Sequence, residues 1–207
     1  MKILIPARMG SKGLPGKNRI LFEFTAKIIP YELANHTYVS SDDPVVIDLA
    51  SKKNFNTIHR DPDLAKDETS TKLVVEDFLN KTKNISDDLT VLLYLTYPER
   101  KWEDVIRANN ELVENNARSL LCSFPLEVHP FMMAYDLKNG KGKQICPHNM
   151  YRRQDYPACF EISHYISMFY DDEVKKLNNN LYNDDTHFMK CDKKIDVDLA
   201  EHLQKLK

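Results

Sequence analysis

A short apolar strand that runs directly into a loop rich in glycine and basic residues constrains this chain most. The strand is expected over residues 2–7, and the loop from Arg8 to Asn18 holds three of the chain's 5 glycines together with Lys12 and Lys17. Glycines let backbone N–H groups approach phosphate oxygens closely, and basic side chains neutralise the phosphate charge. The sequence therefore predicts a nucleotide-binding loop after a buried first strand.

The spacing inside this loop differs from that of the common phosphate loops. Five residues separate Gly10 from Gly16, and Asn18 follows Lys17, whereas a Walker loop has four residues between its glycines and a Ser or Thr after its lysine. The Gly-x-Gly-x-x-Gly pattern of dinucleotide-binding folds is also missing from this segment. A solvated basic turn that only connects two elements remains the alternative.

Strand-like and helix-like segments alternate along most of the chain. Strands are expected at 2–7, 38–40, 55–59, 91–95, 119–123 and 160–169, and helices at 45–53, 71–81, 102–113 and 198–206. A hairpin is expected around the polar turn at 138–142, whereas residues 19–37 suggest no definite element. Such alternation favours an α/β domain whose ligands lie outside the carboxyl ends of its strands.

Composition narrows the classes of partner. A length of 207 residues suits one domain, 1–207, and a net charge of −2 argues against nucleic acid or anionic lipid as partners. Because no apolar run has the length of a signal-peptide core or a membrane span, we expect a cytoplasmic protein without a membrane partner. The four widely spaced cysteines match no zinc pattern and are interpreted as structural thiols.

Near the C-terminus, Asp196 and Asp198 alternate with the apolar residues Ile195 and Val197. In an extended segment both carboxylates point to one face, which suits a hard divalent cation. A solvated strand edge or a helix N-cap explains the same pattern. The pair alone leaves these readings open.

Taken in order, the motifs resemble those of the acylneuraminate cytidylyltransferase (CMP-sialic acid synthetase) family. The similar segments are residues 5–18, 39–43, 60–70, 152–157 and 195–198, so the resemblance covers nearly the whole chain. It implies a three-layer Rossmann-like nucleotidyltransferase fold with a mostly parallel central sheet. It also implies a homodimer in which a small β-rich excursion, near residues 129–160, closes the acceptor site of the other subunit.

The same resemblance assigns roles to individual residues on the nucleotide side. Mg²⁺ would be held by Asp196 and Asp198, and Arg8, Lys17 and Asp198 would be catalytic. CTP would be bound by Arg8, Gly10, Ser11, Lys12, Gly13, Lys17, Asn18, Arg60 and Ser70. The implied reaction is transfer of CMP from CTP to a hydroxyl of a small acidic sugar, a sialic acid-like nonulosonic acid, with release of pyrophosphate.

The acceptor side departs from the family pattern. Tyr94 stands where the family usually has a sugar-contacting Gln, Met132 stands where some members have Lys, and residues 160–166 replace an Asn-Gly-Ala-Ile-like run with larger side chains. The residues expected to contact the acceptor are Tyr94, Arg153, Gln154 and His164, with Arg153 pairing with an acceptor carboxylate. An altered acceptor is therefore expected.

Two alternatives follow from these departures. The acceptor could be another acid, such as 3-deoxy-octulosonate or a phosphonate, received by Arg152 and Arg153. Alternatively, the chain could be a catalytically inactive nucleotide-binding relative. Retention of Arg8, Lys17 and both aspartates counts against the inactive form, because loss of any of these groups is the simplest route to inactivity.

Overall fold

A seven-stranded sheet forms the centre of the protein, which we describe from a computed structural model covering residues 1–204. Its spatial order is β3-β2-β1-β4-β8-β5-β9. The strands of this sheet are β1 (Lys2–Pro6), β2 (Thr37–Ser41), β3 (Asn56–His59), β4 (Leu89–Leu92), β5 (Ser119–Phe124), β8 (Glu161–Tyr170) and β9 (His187–Lys190), and a separate hairpin pairs β6 (Ala134–Asp136) with β7 (Gly142–Gln144).

One strand reverses the direction of an otherwise parallel sheet. β1 pairs in parallel with β2 and β4, β2 with β3, and β5 with β9. β8 lies antiparallel between β4 and β5. The first residues of β8 therefore lie at the same edge of the sheet as the carboxyl ends of its neighbours. Side chains from both kinds of strand meet at this edge.

Helices cover both faces of the sheet and complete a three-layer α/β fold. They are α1 (Lys17–Ala26), α2 (Pro44–Lys52), α3 (Thr71–Thr82), α4 (Trp102–Glu114) and the short α5 (Ala200–Gln204). The buried side chains of α1, α2 and α4 pack on the face that also receives Ile3 and Ile5, whereas those of α3 pack on the opposite face with Leu4. Because successive side chains of β1 point to opposite faces of the sheet, this strand contributes to the hydrophobic cores on both faces.

After β9 the chain turns back across the carboxyl edge of the sheet. We call residues 192–198 the crossing segment. The N–H of Ile195 donates to Oε2 of Glu99 at 3.2 Å, and the N–H of Val197 donates to the carbonyl of Thr96 at 2.8 Å. Val197 is fully buried. These contacts tie the segment to the loop after β4 and carry Asp198 to the phosphate loop.

The connection between β5 and β8, residues 125–160, contains the expected hairpin. Its base is an aromatic cluster of His129, Phe131, His148 and Tyr156, in which the rings of Phe131 and His148 stack at 4.1 Å. Nε2 of His129 lies 2.9 Å from the carbonyl of Pro157, which joins the two ends of the excursion. The excursion is thus ordered by its own side chains, outside the main sheet.

The expected elements are largely confirmed, and the differences have physical reasons. Residues 19–37, for which the sequence suggests no definite element, contain most of α1. This helix starts after Gly16 without a side-chain cap, so it lacks the usual sequence signal of a helix start. The strand expected at 91–95 ends at Leu92, and β9 was not expected. The helix expected at 198–206 begins only at Ala200, and its last two residues lie outside the described part.

Two further expectations concern cysteines and membranes. All four cysteines are free thiols. Cys122 and Cys191 are buried, as expected for structural residues, whereas Cys146 is half-buried and Cys159 is exposed, so the expectation of four structural thiols holds for the first pair only. Within residues 1–204, no helix has both the length and the apolar character that crossing a membrane requires.

Candidate active site

The phosphate loop is held in shape by contacts that start at β1. Nδ2 of Asn18 donates to the carbonyl of Arg8 at 2.8 Å, which closes the loop at its base. The N–H of Met9 donates to Oδ1 of Asp42 at 2.6 Å, from the end of β2. Gly16 adopts a left-handed conformation with φ +69°, which directs the chain into α1. These contacts fix the shape of the loop.

Each basic side chain of the loop faces a carboxylate. Arg8 pairs with Asp67 at 2.5 Å, Lys12 also pairs with Asp67, and Nζ of Lys17 lies 2.7 Å from Oδ1 of Asp198. Hydrogen bonds from Lys12 and Arg8 lower the pKa of Asp67, and the pKa of Lys12 is raised in turn. A phosphate group entering the loop exchanges one anionic partner for another, so the cations need little rearrangement.

Gly13 joins the phosphate loop to the crossing segment. A Cβ atom at this position would lie 2.4 Å from the backbone carbonyl oxygen of Asp198. No side chain fits that gap. Only glycine at position 13 therefore allows the two backbones to approach this closely. Together with the Lys17–Asp198 ion pair, this contact places Asp198 directly at the phosphate loop.

Asp196 and Asp198 are both exposed on the crossing segment, whereas Val197 between them is buried. Both carboxylates line the same cavity, as the alternating pattern predicts for an extended segment. No group of three or more His, Cys, Asp or Glu side chains within residues 1–204 is placed to hold a metal. Two carboxylates suit Mg²⁺, which commonly takes its remaining ligands from water and substrate phosphates.

Arg60 brings a buried positive charge to this edge of the sheet. Its side chain follows β3, donates to the hydroxyl of Ser40 at 3.2 Å and to the carbonyl of Ser40 at 2.9 Å, and is only 3% exposed. Burial lowers the pKa of Arg60 to about 10. It forms no ion pair with a carboxylate in the part of the chain that the structure describes. An anionic or carbonyl-bearing ligand would compensate this charge.

These elements enclose a cavity of about 330 Å³, which we call the first cavity. Among the predicted site residues, it is lined by Arg8, Ser11, Lys17, Asn18, Arg60, Tyr94, His164, Asp196 and Asp198. A smaller cavity of about 140 Å³ lies within the loop and is bordered by Gly10. One edge of the sheet therefore brings together the loop, the aspartate pair, Arg60 and two of the predicted acceptor residues.

Other predicted residues lie elsewhere. Lys12 is exposed and turns to Asp67, and Ser70 caps α3 by accepting from the N–H of Leu73. Arg153 and Gln154 are exposed in the excursion, and Arg153 borders a separate cavity with Tyr156. Within one chain, the excursion does not bring these two residues to the first cavity.

Tyr94 and His164 form the end of the first cavity that faces β8. The hydroxyl of Tyr94 donates to Oγ1 of Thr71 at 2.7 Å, and its ring meets the ring of His164 edge to face at 5.6 Å. Nδ1 of His164 lies 3.2 Å from Oγ of Ser167. Burial lowers the pKa of His164, which favours the neutral imidazole.

Sequence reasoning missed several residues of this site. Asp67 holds two loop cations, and Tyr97 lines the first cavity and contacts Ser163 through its hydroxyl at 3.3 Å. Asp67 stands inside the similar segment 60–70, so a closer reading of that segment would have found it. Thr71, Thr96 and Tyr97 carry no such signal, because only the fold brings them to the cavity.

Comparison with known proteins adds independent findings. Residues 2–205 match the model of a protein family described as cytidylyltransferase. The chain is 25% identical to the post-translational flagellin modification protein B of Campylobacter coli, over 98% of this chain and 94% of that protein. It is 28% identical to the pseudaminic acid cytidylyltransferase of Campylobacter jejuni (66% and 63%) and 25% identical to an N-acylneuraminate cytidylyltransferase of Streptococcus agalactiae (73% and 39%). The match thus spans well under half of the streptococcal protein.

Among solved structures, a similar fold occurs in a CMP:2-keto-3-deoxy-manno-octonic acid synthetase complexed with CTP. The TM-score is 0.67 at 16% identity, and the match covers 99% of this chain and 95% of that one. At this identity the likeness concerns the fold alone. It agrees with the three-layer fold and mostly parallel sheet expected from the sequence.

Proposed function

Because the chain belongs to the cytidylyltransferase family, whose model matches residues 2–205, we propose that it transfers CMP from CTP to a hydroxyl of a sialic acid-like nonulosonic acid. The observation that supports this most is the first cavity, where the loop cations, Arg60 and both aspartates line one space. The relatives named for N-acylneuraminate and pseudaminic acid support the acceptor class. Since CTP is a cytoplasmic metabolite, the proposal places the protein in the cytoplasm.

In the proposed reaction the acceptor hydroxyl oxygen bonds to the α-phosphorus of CTP. The bond from that phosphorus to the pyrophosphate oxygen breaks, and the hydroxyl proton is released. Arg8 and Lys17 hold the phosphate oxygens and stabilise the charge that develops there. Backbone N–H groups of Gly10, Ser11 and Gly13 approach the phosphates, with Lys12 and Asn18 completing the loop.

Arg60 is proposed to contact the nucleotide from the floor of the first cavity, where it lies buried and without a carboxylate partner among the described residues. Ser70 contributes to the pocket through α3, whose N-terminus its side chain caps. The neighbouring residues Thr69 and Thr71 line the cavity. The family match supports a preference for CTP over UTP and GTP, which competition between the three nucleotides tests.

Asp196 and Asp198 are proposed to hold Mg²⁺. When bound there, the ion would neutralise part of the triphosphate charge. The ion pair of Lys17 with Asp198 supports this placement, because it brings the carboxylate to the phosphate loop. Calorimetry of CTP binding with and without Mg²⁺ tests the assignment: Asp196→Asn should remove the gain in affinity that Mg²⁺ gives.

We propose that the protein acts as a homodimer in which Arg153 and Gln154 reach the acceptor of the partner subunit. Two observations support this. In one chain these residues are exposed and remote from the first cavity lining, and the excursion exposes large apolar side chains, including Met132, Tyr135 and Tyr151. Exposed apolar groups concentrated in one segment mark interaction surfaces.

Mixing two impaired variants tests the shared site. Lys17→Ala and Arg153→Met should each be weak alone, but their mixed dimers contain one site with both residues intact. Random exchange makes about half of the dimers mixed, so about one quarter of the wild-type activity should return. If mixing restores nothing while light scattering reports dimers, Arg153 does not act across the interface.

The central test measures pyrophosphate release from CTP and Mg²⁺. The acceptor panel contains N-acetylneuraminic acid, pseudaminic acid, 3-deoxy-octulosonate and small phosphonates, with EDTA as control. Release with a nonulosonic acid that EDTA abolishes is the expected result. Release with only 3-deoxy-octulosonate or only a phosphonate would assign the acceptor to that class of acid instead. Silence across the panel with CTP bound would contradict the proposed transfer.

A further inference from the structure

A second cavity of about 530 Å³ adjoins the first and shares part of its wall. The shared residues are Tyr97, His164 and Asp196, which line both cavities. The second cavity lies over the end of β5 and the start of β8, where Phe124 and Ser163 border it, and is closed by the crossing segment. The wall between the cavities thus carries one of the two aspartates proposed to hold Mg²⁺.

The shared wall is firmly held. Arg100 is fully buried behind it and donates to the carbonyls of Tyr94 and Tyr165, at 2.8 Å each. The ring of Tyr97 meets the ring of Tyr165 edge to face at 5.6 Å, and the hydroxyl of Tyr165 donates to Asp104 at 2.6 Å. Side chains held in this way keep a fixed geometry between two neighbouring ligands.

Two successive lysines border the second cavity, and their surroundings differ. Lys193 lies 3.0 Å from Glu127 and 3.1 Å from Glu161, so two carboxylates neutralise its charge. Lys194 is half-buried, with Nζ 5.9 Å from the ring centroid of Tyr165, and within residues 1–204 it has no carboxylate within ion-pair distance. Of the two lysines, only Lys194 therefore offers an uncompensated positive charge to a ligand in this cavity, which Asp196 at the shared wall also borders.

We propose that the second cavity is the acceptor site of this chain and that Lys194 binds the acceptor's carboxylate there. The inference rests on the proposed function, to which it adds the position of the acceptor and the residue that selects an acid. A carboxylate at Lys194 would place the sugar carbons against Phe124 and Ile195. The attacking hydroxyl would then face the shared wall, next to the nucleotide.

This assignment differs from the expected role of Arg153. Arg153 borders neither of the two adjoining cavities and can reach them only from a partner subunit, whereas Lys194 belongs to the same chain as the phosphate loop. The two residues therefore make separable predictions. Lys194 should matter in every assembly state, and Arg153 only in a dimer.

Calorimetry on the CTP-loaded protein with Mg²⁺ tests the proposal, using N-acetylneuraminic acid, pseudaminic acid and 3-deoxy-octulosonate as probes. Lys194→Met should weaken binding of the acid that the wild type binds by at least about 10-fold, the usual effect of losing a charged hydrogen bond. Lys194→Arg should retain most of it. Lys52→Met removes the same charge from the surface of α2, where Lys52 pairs with Asp48 and borders neither cavity, and should change binding by less than about 2-fold.

The outcomes separate this inference from the proposed function. Equal weakening by Lys194→Met and Lys52→Met, or no change with either, overturns the role of Lys194. A wild-type protein that binds none of the three acids overturns the acceptor site as well. Pyrophosphate release is measured on the same samples. Binding that depends on Lys194 without any release supports the site and contradicts the transfer reaction.

Discussion

The two cavities at the carboxyl edge of the sheet are built on different principles. The first is surrounded by opposite charges already in contact, such as Lys17 with Asp198 and Arg8 with Asp67. The second is larger, is bordered by apolar side chains such as Phe124 and Ile195 beside the ion pair of Lys193 with Glu161, and has one uncompensated lysine among the described residues. The first cavity therefore presents cations that already have anionic partners, whereas the second presents one unpaired lysine next to apolar side chains.

This difference follows from topology. The first cavity lies over the parallel strands β1 to β4, whose carboxyl ends deliver loops and helix starts to one place. The second lies where the antiparallel β8 begins, so its walls come from a strand and from the crossing segment. The phosphate loop can thus retain its nucleotide-binding residues while substitutions on β8 alter which acceptor is bound.

The largest expected effect breaks the charge network of the first cavity. Lys17→Ala and Asp198→Asn should each lower turnover at least about 10²-fold, the scale of losing one key electrostatic contact in a transition state. Steady-state pyrophosphate release measures the effect, with circular dichroism as a check on folding. Lys52→Ala, whose ammonium pairs at the surface with Asp48, serves as a matched charge control. Unchanged rates in both variants would remove these residues from the catalytic site.

The next experiment acts on the contact that joins the phosphate loop to the crossing segment. Gly13→Ala places a Cβ atom 2.4 Å from the carbonyl oxygen of Asp198, so one backbone must move. A displacement of about 1 Å in a catalytic site can cost about 10²-fold, and we expect kcat to fall by about 10- to 10²-fold. The melting temperature should change little, since both segments lie at the edge of the sheet. Normal kcat would mean that the two segments work independently.

The contrast between the cavities also explains which residues of the site could be identified from the sequence. The loop from Arg8 to Asn18 is contiguous, so its residue types and spacing indicate an anion site before any fold is known. Residues of the second cavity come from β5, β8 and the crossing segment, and only their pairing brings them together. Lys194 has no distinguishing pattern in the sequence. The sequence does not show that Glu127 and Glu161 pair with Lys193 and not with Lys194.

The fold was predictable to a similar extent. The short segment 119–123, with Leu120 and Leu121 at its centre, and the period of the α4 helix identify their elements correctly. By contrast, α1 begins at a glycine in a left-handed conformation, and β9 has four residues with mixed burial. Neither carries the capping residue or the strict alternation on which such predictions depend. Both elements exist because the sheet supplies partners that are distant in the sequence.

A smaller effect is expected on the wall between the cavities. Arg100→Met removes the donors of two buried carbonyls, those of Tyr94 and Tyr165, and each unsatisfied acceptor costs about 1–3 kcal/mol. We therefore expect the free energy of unfolding to fall by about 3 kcal/mol, measured by urea denaturation. Arg107→Met, a half-exposed arginine on α4, should cost about 1 kcal/mol or less. Equal losses would show that burial of Arg100 contributes nothing specific.

The smallest expected effect tests whether Tyr94 acts on the nucleotide or on the acceptor. Tyr94 lines only the first of the two adjoining cavities and donates its hydroxyl to Thr71, although its place in the sequence predicts an acceptor contact. Tyr94→Phe removes one hydrogen bond of about 1 kcal/mol, which corresponds to about 5-fold. If the hydroxyl acts on the nucleotide side, kcat/KM for CTP falls by this factor and the acceptor KM stays constant. A change confined to the acceptor KM would instead extend the acceptor site across the wall into the first cavity.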